Sequence, residues 1–209
     1  MDKHGHGCCA QPVFDGVSPR YRQILLSVTA INLVMFLVEL IGGHLTQSMA
    51  LQADALDFLA DSLTYGLSLA VIGRSARLRA LVALMKGGSL AIMGVYVFAM
   101  TLYRTFVLVT PEALPMSVIG FLALAANLAS VALLYRWRDG DANVRSVWLC
   151  SRNDAIGNVA VMIAAGLVAW LGNGWPDVIV AGIMAGLFLN SSRQIIRQAW
   201  GEYTQTTAR

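Results

Sequence analysis

The stretch "ALQADALDFLADSL", residues 50–63, places Asp54, Asp57 and Asp61 inside an otherwise apolar run. An aspartate near the centre of a membrane-inserting helix costs about 2.5–3.5 kcal/mol, whereas each Leu, Ile, Phe or Val returns only about 0.3–0.6 kcal/mol. The three carboxyl groups must therefore face protein, water or an ion rather than lipid. Since the acids follow an i, i+3, i+7 spacing, they share one side of a helix. We predict a carboxylate cluster that points into a helix bundle.

The composition is that of a membrane protein. Hydrophobic residues make up 57% of the chain and charged residues 13%, against about 45–50% and about 25% in an ordinary soluble domain. A membrane crossing needs about 20 apolar residues, and six windows meet this requirement: 22–45, 49–73, 78–103, 115–136, 144–171 and 176–197. We therefore predict an all-α, polytopic membrane protein with six transmembrane helices in residues 21–198, an N-terminal tail in residues 1–20 and a short tail in residues 199–209.

The basic residues predict the orientation of the chain. Lys and Arg in short loops tend to stay on the cytoplasmic side of the membrane, and here most of the 15 basic residues alternate between window ends accordingly. Those on the predicted cytoplasmic side are Lys3, Arg20, Arg22, Arg74, Arg77, Arg79, Arg136, Arg138, Arg145, Arg193, Arg197 and Arg209. We expect both termini in the cytoplasm and the protein in a bacterial inner membrane. This topology accounts for the net charge of +3, so no nucleic-acid partner is expected.

Catalytic signatures are absent from the sequence. The glycine-containing stretch "MKGGSLAIMG" lacks the Gly-Lys-Ser/Thr ending of a phosphate-binding loop. The H-E-x-x-H and G-x-S-x-G motifs of hydrolases do not occur either. We expect a protein that is not an enzyme and that carries no resident cofactor.

The fifth window supplies partners for the acids of the second. In "VWLCSRNDAIGNVAV", Cys150 and Asp154 are spaced i, i+4, and Asn158 follows one turn later. When the helices are placed antiparallel across the membrane, both this pair and the Asp57 and Asp61 pair fall near the midplane. Three carboxylates and a thiolate can enclose a small dication in a tetrahedral environment that suits zinc and its neighbours.

These residues resemble the cation diffusion facilitator family, whose members export divalent transition metals in exchange for protons. "ADALDFLADSL" is similar to the family's helix 2 motif, which implies that Asp57 and Asp61 are metal ligands. "CSRNDAIGNVAV" is similar to the helix 5 motif, which implies the same role for Cys150 and Asp154. The resemblance extends over roughly residues 20–197 and implies a homodimer in the lipid bilayer.

Two departures from the family pattern affect these expectations. Cys150 stands where the family usually has His or Asp. Because a thiolate favours softer ions, we expect zinc, with cadmium or cobalt as further substrates. The chain also resembles a short form, without the cytoplasmic C-terminal domain that is common in the family. A passive divalent-cation channel and a membrane metal sensor without transport remain alternatives.

Other polar residues have less defined expectations. Asp54 and Asn158 are candidates for hydrogen bonds that support the ligands, although Asp54 could equally join two helices. Glu39 and Lys86 are expected to be paired or to reach the membrane surface rather than to bind metal. The N-terminal "HGHGCC" contains His4, His6, Cys8 and Cys9, ligand types that could deliver metal to the entrance or form an incidental tail.

Overall fold

A computed structural model describes residues 18–71, 76–107, 109–138 and 142–207. The described chain consists of six α-helices, one short 3-10 turn and no strand, which confirms the predicted all-α class. The helices are α1 (Pro19–Leu45), α2 (Met49–Val71), α3 (Ala76–Phe106), α4 (Ala113–Leu134), α5 (Ala142–Leu171) and α6 (Trp175–Thr207). The four candidate delivery residues of the "HGHGCC" segment lie outside the described residues.

The helix ends follow local capping chemistry as well as hydropathy. At the start of α1, Ser18 accepts a hydrogen bond at 3.1 Å from the backbone nitrogen of Tyr21, and Pro19 occupies the first turn. Both features are typical of a helix N-terminus. At the other end of the chain, α6 continues to Thr207, well past the predicted window, as a polar helix beyond the apolar stretch. There the Arg77 guanidinium of α3 lies 5.5 Å from the ring centroid of Tyr203.

Five of the helices are long and apolar enough to cross a membrane, and they include residues 19–45, 80–106, 113–137, 150–171 and 175–201. Large apolar side chains on their outer faces are exposed, among them Ile41, Ile92 and Ile163. The remaining helix, α2, carries the three aspartates. It is surrounded by α1, α3, α5 and α6. The chain is thus an integral membrane protein whose most acidic helix is enclosed by its neighbours.

Close packing of two helix pairs frames α2. The first pair is α1 and α4. An added Cβ at Gly42 of α1 would lie 2.3 Å from the Ile119 Cδ1 atom of α4. In the second, α3 lies along α6, and an added Cβ at Gly87 would lie 2.6 Å from the Ile196 Cγ1 atom. Small residues at such crossings let membrane helices approach closely.

An acid from α6 caps the start of α2. The Asp177 carboxylate accepts hydrogen bonds from the Ser48 hydroxyl at 2.5 Å, the Met49 backbone nitrogen at 2.7 Å and the Ala50 backbone nitrogen at 3.0 Å. The first backbone N–H groups of a helix have no partner within it, and the N-terminus carries a partial positive charge. The Asp177 carboxylate accepts from these N–H groups and places a negative charge beside the helix N-terminus, which fixes the position of α2 along its axis.

We predict that Asp177→Ala lowers the free energy of unfolding by about 1–3 kcal/mol, because the buried donors at the start of α2 lose their charged acceptor. Asp177→Asn keeps one acceptor oxygen and should lose less. Thermal unfolding in detergent measures both variants. A wild-type midpoint for Asp177→Ala would show that the cap contributes nothing to stability.

Candidate metal centre

The carboxyl groups of α2 and α5 meet inside the bundle. Asp154 on α5 is within side-chain hydrogen-bonding reach of both Asp57 and Asp61 on α2. Asp61 is buried, and one carboxylate oxygen of Asp154 is buried without a hydrogen-bond partner among the described residues. The three acids predicted from two windows of the sequence are therefore neighbours, and one oxygen of Asp154 has no partner among the described residues.

Cys150 lies beside these acids rather than among them. Its thiol is close enough to Asp57 and Asp61 for electrostatic interaction, and its side chain packs against the apolar cluster that contains Tyr65 and Val147. Within the described residues, no three His, Cys, Asp or Glu side chains are arranged to hold a metal ion together. The four predicted ligands thus share one region of the bundle without forming a closed coordination shell.

Two side chains that the sequence analysis missed donate hydrogen bonds to Asp61. The Tyr65 hydroxyl and the Asn32 side-chain amide of α1 both donate to the Oδ2 atom of Asp61, the latter at 3.4 Å. Tyr65 follows Asp61 by one helical turn, and this i, i+4 spacing was an available signal. Asn32 is an isolated amide in an apolar helix, which was the other signal.

Asp54 adjoins an acid of α1 and is also close enough to Asp57 for electrostatic repulsion. Its carboxyl group adjoins that of Glu39, and both side chains are buried. However, the two Glu39 oxygens and the Oδ2 atom of Asp54 have no hydrogen-bond partner among the described residues. Asn158, one turn beyond Asp154, is buried, and its amide nitrogen and oxygen have no hydrogen-bond partner among the described residues. Among the described residues, the Asp54 Oδ2 atom and the Asn158 amide thus make no hydrogen bond to the predicted ligands, and the supporting role of both residues stays a prediction.

Lys86 approaches the acids from α3. Its ammonium group donates a hydrogen bond to the Ser68 hydroxyl of α2 at 3.2 Å. It is also close enough to Asp61 and Cys150 for electrostatic attraction. The expectation that Lys86 is paired agrees with this contact. The lysine places one positive charge at the edge of the carboxyl cluster.

The sequence matches the family model described as the cation efflux transmembrane domain over residues 25–201. The chain belongs to the cation efflux family. This membership confirms the resemblance found in the motifs of the second and fifth helices.

Curated relatives in the cation efflux family are distant but cover most of this chain. The cadmium, cobalt and zinc/H(+)-K(+) antiporter of Bacillus subtilis is 27% identical, over 78% of this chain and 57% of its own length. The zinc transporter ZitB of Yersinia pestis is 28% identical, over 85% of this chain and 61% of its own length. The metal cation efflux system protein CzcD of Cupriavidus metallidurans is 28% identical, over 83% of this chain and 58% of its own length.

These relatives bear the names of transporters rather than enzymes. The chain spans about three fifths of the length of each relative, from 57% to 61%. The family match to this chain is to the cation efflux transmembrane domain, over residues 25–201.

Proposed function

We propose that the protein exports divalent transition metals from the cytoplasm, with zinc as the main substrate and cadmium and cobalt as further substrates. The meeting of Asp57, Asp61 and Asp154 between α2 and α5 carries this proposal. Membership of the cation efflux family supports it, and so do the metals in the names of the relatives.

The donor set suits the proposed substrates. Three carboxylates supply hard oxygen ligands, and the thiolate of Cys150 would add a soft one, a mixture that zinc, cadmium and cobalt accept. Coordination through all four side chains requires α2 and α5 to come closer together, since no three of these groups are arranged to hold a metal ion among the described residues. We propose that this approach accompanies metal binding.

The same acids supply proton coupling. Carboxylates and thiols bind a metal only when deprotonated, so metal entry releases protons and protonation releases metal. Carboxyl groups in contact within a bundle repel one another when several are ionised and no cation is present. We therefore propose an antiporter that works by alternating access, in which external protons displace the metal after the helices rock. It would function as a homodimer in the bacterial inner membrane, with both termini cytoplasmic.

Transport by proteoliposomes tests this function. A zinc gradient should drive proton movement in the opposite direction, which a pH-sensitive dye in the vesicle lumen detects. Metal movement that carries current without protons would indicate the passive channel. Metal binding without any flux would indicate the sensor, and either result would contradict the antiporter.

We predict that Asp57→Ala, Asp61→Ala and Asp154→Ala each abolish zinc-driven proton flux, because each removes a charged ligand from the same group. The purified variants should still elute as folded protein in size-exclusion chromatography. Glu112→Ala is the matched control, since Glu112 is an exposed acid whose side chain makes no cap hydrogen bond to α4. Wild-type flux in any of the three aspartate variants would remove that residue from the site.

Cys150 should set metal preference. A thiolate favours cadmium, whereas an imidazole suits zinc, so Cys150→His is expected to keep zinc transport and lower the preference for cadmium. Cys150→Ser should weaken transport of both metals, because a hydroxyl stays protonated and supplies no soft donor. Zinc and cadmium uptake in competition measures the preference.

Cys150→Ala separates ligation from packing. If the thiol only fills space against the cluster around Tyr65, the alanine variant should transport both metals in the wild-type ratio. That result would leave the metal to the three aspartates alone.

A further inference from the structure

Tyr65 lies at the contact between the two ligand-bearing helices. It is completely buried and packs in an apolar cluster with Tyr21, Leu25 and Val28 of α1 and Val147 of α5. Burial of a phenol is tolerated when its hydroxyl finds hydrogen-bond partners. The partners of this hydroxyl lie on both α2 and α5.

On α2, the Tyr65 hydroxyl donates to the Oδ2 atom of Asp61. The Asn32 amide donates to the same oxygen, so two donors from two helices hold that atom. The Oδ1 atom of Asp61 receives neither of these bonds. The pair of donors thus fixes the orientation of the Asp61 carboxyl group from two helices.

On α5, the Tyr65 hydroxyl oxygen lies 3.4 Å from the Ser151 hydroxyl and 3.4 Å from the Val147 carbonyl oxygen. Because the phenol proton goes to Asp61, the Ser151 hydroxyl can donate to the phenol oxygen, which gives a chain from Ser151 through Tyr65 to Asp61. Ser151 directly follows Cys150 and lies three residues before Asp154. The Tyr65 hydroxyl therefore joins Asp61 of α2 to the segment of α5 that carries the proposed ligands Cys150 and Asp154.

We propose that Tyr65 is the positioning residue of the metal site, which orients Asp61 and holds it in register with Cys150 and Asp154. The inference rests on the proposed function, because it requires Asp61 to be a metal ligand. Hydrogen-bond partners behind metal ligands fix ligand orientation, and their loss typically weakens metal binding about 10–100-fold.

Tyr65→Phe tests the proposal, since it removes the hydroxyl and keeps the ring in the apolar cluster. We expect the Kd for zinc of the purified full chain, measured by competition with a chelating dye, to rise about tenfold. In proteoliposomes, KM should rise while the maximal rate changes little. Tyr96→Phe is the matched control, because it deletes the same atom from a side chain that is 51% exposed on α3, and its Kd should equal that of wild type.

A double-mutant cycle shows whether Tyr65 acts through Asp61. In an Asp61→Asn background, adding Tyr65→Phe should change the zinc Kd by less than about twofold, because the carboxylate to be oriented is already gone. A full tenfold loss in that background would overturn the proposal, since Tyr65 would then act independently of Asp61. A wild-type Kd for Tyr65→Phe alone would also overturn it.

The outcome for the wild-type chain separates this inference from the function on which it rests. If wild type binds zinc and Tyr65→Phe binds it equally well, only the positioning role fails. If wild type binds none of zinc, cadmium and cobalt, the proposed function fails and the positioning role fails with it. A lower melting temperature for Tyr65→Phe with an unchanged Kd would assign the hydroxyl to stability alone.

Discussion

The need to keep carboxyl groups away from lipid governs the arrangement of this bundle. Asp54, Asp57 and Asp61 occupy α2, and the structure surrounds that helix with α1, α3, α5 and α6. The helices that do face lipid carry exposed apolar side chains. Ionised side chains inside a membrane need partners because their desolvation is costly, and Asp61 finds donors on its own helix and on α1. The acids of α2 therefore determine which helices must be its neighbours.

Sequence patterns predicted the helices and the acidic region because these depend on properties of single segments. The apolar windows located all six helices of the described chain. The spacing of the acids predicted one cluster, and Asp57, Asp61 and Asp154 do lie within reach of one another, while their binding of metal stays a prediction. Hydropathy could not reveal the polar extension of α6 to Thr207. It also could not reveal that Asn32 and Tyr65 share one oxygen of Asp61, because such pairing depends on how each helix is rotated about its axis.

The buried polar groups fall into two regions with different degrees of pairing. Around Asp61, donors arrive from Tyr65 and Asn32. Around Glu39 and Asp54, three carboxyl oxygens have no hydrogen-bond partner within the described ranges. Unpaired buried oxygens are costly, whereas a satisfied network makes a region rigid. Asp61 thus has two side-chain donors, whereas these three oxygens of Glu39 and Asp54 have none among the described residues.

The hydrogen bonds between Asp177 and the start of α2 fix that end of the helix. Asp61 lies twelve residues from Met49, or about 18 Å along the axis at about 1.5 Å per residue. A tilt of about 10° around the fixed end would move Asp61 sideways by about 3 Å, whereas metal sites hold their ligand distances to within about 0.2 Å. A small rotation of α2 about this end would therefore displace the proposed ligand Asp61 by far more than a coordination shell tolerates.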